Sequence, residues 1–76
     1  MSEPAILHWD RVMHKNVRSS DRVDVGTIIS EDGDTFTILK GASREYKLPK
    51  SAVEGFNGAE VFLNISYRDL QAYKTQ

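Results

Sequence analysis

Turn-forming clusters recur roughly every ten residues along this chain, a spacing that leaves room for little besides short β-strands. The clusters are SSD at 19–21, EDGD at 31–34, KGAS at 40–43 and NGA at 57–59. Between them lie runs whose apolar residues alternate with a period of two, so that one face of each strand is buried. The runs are VMHKNV (12–17), VDVGTIIS (23–30), TFTILK (35–40), REYKL (44–48) and AEVFLNIS (59–66). The period places Val23, Val25, Thr27 and Ile29 inward, with Phe36, Ile38, Tyr46, Leu48, Val61, Leu63 and Ile65. The 12–17 run is weak, with only Val12 and Val17 strand-like.

Two segments depart from this period. Pro49 gives no ladder hydrogen bond, so it ends its strand or sits at an edge, and we assign it a structural role. Ala52, Val53 and Phe56 then fall at helix-like spacing and predict a helical turn plugging one end of the fold. Tyr67, Leu70 and Tyr73 predict a short amphipathic C-terminal helix, with Ser66 as its N-cap and Asp69 completing a weak capping box. The expected fold class is all-β: a small SH3-like barrel or half-open sheet of five to six strands, with a short helical turn and a short C-terminal helix. The whole of 1–76 forms one domain, with a core over about 9–66 and a helix or tail over 67–76.

A chain of 76 residues buries only about 60% of its unfolded surface, so the core is small. The net charge is −1, with the acidic excess before residue 39 and the basic excess after it. That balance argues against a polyanion partner, which usually meets a concentrated basic patch. The chain has no cysteine, which removes disulfides, a thiolate nucleophile and cysteine-ligated metals. No apolar run approaches the roughly 20 residues of a membrane span, and MSEPAILHWD lacks the basic start of a secretory signal. The expectation is a soluble cytoplasmic protein without membrane insertion.

Candidate chemistry is sparse. His8 and His14 lie six residues apart, about 20 Å on a strand, and lack metal-ligand spacing. Glu31, Asp32 and Asp34 around Gly33 suit a hairpin turn better than a calcium loop. The serines have no identifiable base and acid partners. No metal, no cofactor and no catalytic residue is expected. Gly26, inside VDVGTII, is read as a strand bend, because a phosphate loop needs further glycines and a following helix.

In order, V-R-S-S-D-x-x-x-V-G-T-I, G-D-T-F-T-I-L, R-E-Y-K-L-P-K-S-A-V and V-F-L-N resemble the PRC-barrel family, over about Val17 to Leu63. The chain looks closest to the short single-domain bacterial and archaeal members. Arg22 departs from the pattern, which usually has glycine at that turn position. The resemblance implies a bend at Gly26 where a side chain would collide with the neighbouring strand. It also implies a non-catalytic adaptor that binds other proteins, among whose relatives are archaeal cell-division adaptors.

Apolar residues on both strand faces add to this. If the period above fills the core, Ile28, Leu39 and Phe62 point away from it. They are either covered by Ile6, Leu7, Trp9 and the C-terminal helix, or they form an interface. The interface candidates are Ile28, Leu39, Tyr46, Phe56 and Phe62, and a homodimer is expected. The alternative is an RNA- or ribosome-associated module using Tyr46, Phe56 and Phe62 beside Lys40, Arg44, Lys47 and Lys50. An enzyme or ligand pocket is the third and least supported reading.

Overall fold

The computed structural model describes residues 9–75, which fold as an all-β, barrel-like domain. Its strands are β1 (Asn16–Arg18), β2 (Asp24–Asp32), β3 (Thr35–Lys40), β4 (Arg44–Pro49), β5 (Val53–Phe56) and β6 (Glu60–Leu63). A four-residue helix, α1 (Tyr67–Leu70), follows. Single 3₁₀ turns cover Trp9–Arg11, Lys50–Ala52 and Gln71–Tyr73. One sheet holds all six strands in the order β4-β3-β2-β1-β6-β5, and β1 runs parallel to β6 while every other pair is antiparallel.

The period of two holds where the ladder is regular. Phe36, Ile38, Tyr46, Leu48, Val61 and Leu63 all point into the core, together with Val12 and Val17. Burial of such side chains at about 25 cal/mol per Å² of apolar area drives the sheet to curl over them. It fails in β2. Val25 is an extra residue opposite the step from Val17 to Arg18, and Ile29 is an extra residue between Ile28 and Ser30. Each bulge shifts the strand by one residue and turns the following side chains to the other face. Val25 and Ile28 are therefore buried, three residues apart, while Val23 is 38% exposed and Thr27 and Ile29 are half-buried. Ile28 is thus a core residue, not the outward one that strict alternation predicts.

Lys50–Ala52 forms the expected helical turn, but the helix-like reading stops there. Val53 is already extended, and Val53–Phe56 becomes a strand paired with β6. The last part of the chain is tied to the core rather than hanging from it. Ser66 Oγ accepts from the Asp69 amide as the predicted N-cap, and Leu70 is fully buried. Beyond the helix, Lys74 bridges to Tyr46 and the Thr75 amide donates to the Glu45 carbonyl at 2.8 Å, so the tail lies along the outer edge of β4. β4 does run at the edge of the main ladder and ends at Pro49, as the proline requires.

Candidate interaction surface

The turn between β1 and β2 builds the most elaborated surface. Ser19 is fully buried, its amide donates to the Val23 carbonyl at 2.9 Å, and its hydroxyl accepts from the Val23 amide at 3.1 Å. The same hydroxyl donates to the Asp21 carboxylate, which also accepts from the Tyr67 amide at 3.2 Å at the start of α1. The Ser19 hydrogen bond, and after it the Tyr67 amide, hold the Asp21 carboxyl below its ordinary pKa. The Ser20 amide donates to the Ile65 carbonyl at 2.9 Å. SSD is thus a clasp between the β1–β2 turn and the helix.

That clasp fixes Arg22. Its backbone takes φ 68°, the left-handed conformation that glycine adopts at little cost, and its carbonyl accepts from Arg18 Nη1 at 3.0 Å. Arg18 in turn pairs with Glu60 at 2.5 Å. The Arg22 guanidinium lies 4.8 Å from the centroid of the Phe62 ring, a cation–π contact. Phe62 sits in β6 beside Arg18 of β1 and Gly55 of β5. Ser19, Ser20, Arg22, Glu54, Gly55 and Phe62 line a cleft of about 200 Å³. A shallower hollow of about 490 Å³ runs along the helix between Asn64, Arg68, Asp69 and Tyr73.

The proposed interface residues separate into three groups. Ile28 and Tyr46 are fully buried and present nothing to a partner. Phe56 and Leu39 are half-buried, Phe56 packing on the core and Leu39 standing on the outer face between Thr27 and Glu45. Phe62 lines the cleft beside Arg22. The outer face therefore carries single apolar side chains among polar ones rather than a continuous stripe. Burial of Tyr46 also removes one aromatic from the RNA platform. Lys40 is drawn to the Asp24 carbonyl at 2.9 Å, and Lys50 pairs with Glu31 at 2.9 Å while lying 4.9 Å from the Trp9 ring centroid. Trp9 covers Phe36 at 5.0 Å between ring centroids, whereas Ile6, Leu7 and His8 fall outside the described residues.

Gly26 takes φ 115°, and a Cβ there would run into the Leu39 carbonyl oxygen, with Lys40 Cα only 3.0 Å away. Glycine permits the bend of β2 at this close approach. His14 is exposed, and no group of three or more metal-ligating side chains occurs among the described residues. No helix among them is long and apolar enough to cross a membrane. Sequence reasoning passed over Glu54, read Ser20 only as part of a turn cluster, and met Arg22 only as an exception to a glycine position, although that exception was the available signal. The chain matches no family model, no curated protein and no solved structure.

Proposed function

We propose that this chain is a non-catalytic adaptor of the PRC-barrel type that binds other proteins in the cytoplasm and works as a homodimer. The observation that carries the reading is Phe62, half-buried under the Arg22 guanidinium and beside the terminal strand β5. Aromatic and arginine side chains held at a rigid cleft are the residues that most often dominate protein–protein affinity. The narrower assignment, an archaeal-type cell-division adaptor, rests on the sequence resemblance alone.

Affinity capture on the wild-type chain and on Phe62→Ala, each from the same cell extract, tests the reading. Proteins retained by the wild type and lost with Phe62→Ala support it. Tight binding of labelled single-stranded RNA at physiological salt, abolished by Lys47→Glu, would replace it with the nucleic-acid alternative.

A further inference from the structure

The turn that joins β5 to β6 contains an asparagine followed directly by a glycine, Asn57-Gly58. Both residues are exposed, and the Asn57 amide donates to the Glu60 carbonyl at 3.2 Å, closing the hairpin. Asn57 Oδ1 accepts from two backbone amides, Ala59 at 2.9 Å and Glu60 at 2.8 Å. Gly58 takes φ 94°, and its own amide makes no hydrogen bond among the described residues. A Cβ built on Gly58 would meet nothing within 4 Å, so the space around it is open.

These features converge on one reaction. A bond from the Gly58 nitrogen to Asn57 Cγ closes a five-membered ring, and the two atoms are held near one another by the chain itself. Glycine puts no side chain in the way, and the nitrogen has no hydrogen bond to surrender. As the bond forms, negative charge develops on Asn57 Oδ1, the atom at which the Ala59 and Glu60 amides already point. The other two asparagines lack this arrangement. Asn16 lies within the β1 ladder and precedes the β-branched Val17. Asn64 precedes the β-branched Ile65, and its Nδ2 is held by the Ser51 carbonyl at 3.2 Å.

We propose that Asn57 is a site of spontaneous modification, at which the folded chain converts its own asparagine to aspartate and isoaspartate. The Gly58 nitrogen gives up its proton to solvent and bonds to Asn57 Cγ, while the carbonyl electron pair moves onto Oδ1. Collapse of that oxyanion breaks the Cγ–Nδ2 bond, and the amine takes a proton from water and leaves as ammonia. Water then opens the cyclic imide. Addition at Cγ breaks its bond to nitrogen and leaves aspartate in a normal backbone. Addition at the Asn57 backbone carbonyl breaks the original peptide bond instead and leaves isoaspartate, with the chain running through Cγ. Either product makes the net charge one unit more negative than the −1 of the unmodified chain. The isoaspartyl product also adds one carbon to the backbone of the turn next to the Phe56–Val61 pair, where the ladder of β5 on β6 begins. The site is separate from the Phe62 cleft and does not depend on the adaptor reading.

Incubation of the purified full chain at physiological temperature and pH, with peptide mapping by mass spectrometry, tests the proposal. Position 57 should gain the mass of an amide-to-acid conversion within days, as two chromatographically distinct products, while Asn16 and Asn64 stay unchanged. The rate should rise with pH, because the attacking nitrogen must lose its proton. Gly58→Ala places a methyl group beside that nitrogen and should convert at least about tenfold more slowly. Its φ strains alanine, so Asn57→Gln is the second variant: its longer side chain would close a six-membered ring, and it should not convert while remaining folded by its melting curve. Hydrogen exchange on the separated isoaspartyl form should be faster at Phe56 and Val61 than in the unmodified chain. No conversion in the folded chain, conversion confined to a urea-unfolded sample, or equal conversion at all three asparagines would each overturn the proposal. Unchanged exchange at Phe56 and Val61 would overturn the link from the turn to the β5–β6 pairing.

Discussion

A side chain on Gly26 would collide with the Leu39 carbonyl oxygen in the adjoining strand β3. The strand bends there because glycine alone permits both the φ of 115° and this close approach. Gly26→Val should therefore cost about 3 kcal/mol through backbone strain and displacement of β3. For a domain whose whole stability is on the order of 5 kcal/mol, that leaves about 2 kcal/mol and a few per cent of the molecules unfolded at 37 °C. Urea denaturation followed by far-UV circular dichroism gives the value, and a variant as stable as the wild type would remove the bend from the account.

The clasp at Ser19 gives a second prediction. Ser19→Ala leaves the Val23 amide without its hydroxyl acceptor at the fully buried Ser19 position and removes a donor from the exposed Asp21 carboxylate, a loss that urea denaturation measures. It should cost about 1–2 kcal/mol.

Asp21 makes the same clasp sensitive to pH. Its folded pKa lies below its unfolded one, so its contribution is complete above the unfolded value, about pH 4, and is lost as pH falls through the folded value. Asp21→Asn should be less stable than the wild type at neutral pH and should lose less on acidification. Melting temperatures between about pH 6 and pH 2.5 test this, and parallel curves for the two proteins would contradict it.

Which parts of this fold were legible depended on how local their cause was. β3, β4 and β6 follow strict alternation, and Phe36, Tyr46 and Leu63 lie where the period puts them. The Ser66 cap is equally local. β2 was misread because its two extra residues, Val25 and Ile29, are defined only against β1 and β3: Gly26 marks a bend without saying which residue is extra, and nothing local marks Ile29. That error alone moved Ile28 to the surface in the sequence reading. The parallel pairing of Val17 with Val61 joins residues far apart in the chain and leaves no local trace. The cleft was hidden for the same reason: Arg22, Glu54 and Phe62 come from three separate segments. Only Phe62 declared itself, by being aromatic at an outward position.

A fourth prediction concerns the end of the chain. Leu70 is fully buried and holds the segment whose Thr75 amide bonds to Glu45 on the edge of β4. Leu70→Ala should cost about 2–4 kcal/mol, whereas removing only the cap with Ser66→Ala should cost about 1 kcal/mol. In both variants the Thr75 amide should exchange with solvent faster than in the wild type, most of all in Leu70→Ala. Loss of the tail also uncovers the β4 edge, and an uncovered edge strand is a site for association with other chains. Leu70→Ala should therefore aggregate at lower protein concentration than Ser66→Ala. Equal exchange rates at Thr75 in all three proteins would show that the helix does not hold the tail.

The last prediction separates affinity from encounter. Phe62 is half-buried, so Phe62→Ala removes part of an apolar contact and the cation–π partner of Arg22, at about 1 kcal/mol of fold stability. If Phe62 anchors a bound protein, the same change should weaken binding by at least about 1 kcal/mol, with most of the loss in the dissociation rate. Lys47 offers the contrast. It is exposed on β4 and is not among the residues that line the cleft. Its charge reaches the cleft only through solvent, where screening acts over about 8 Å at physiological salt. Lys47→Glu should therefore alter only the association rate, and the effect should vanish as salt is raised. Surface plasmon resonance with captured partner protein at two salt concentrations measures both rates. A Lys47→Glu variant that raises the dissociation rate as much as Phe62→Ala would move the interface from the β5–β6 side of the sheet to the β4 side.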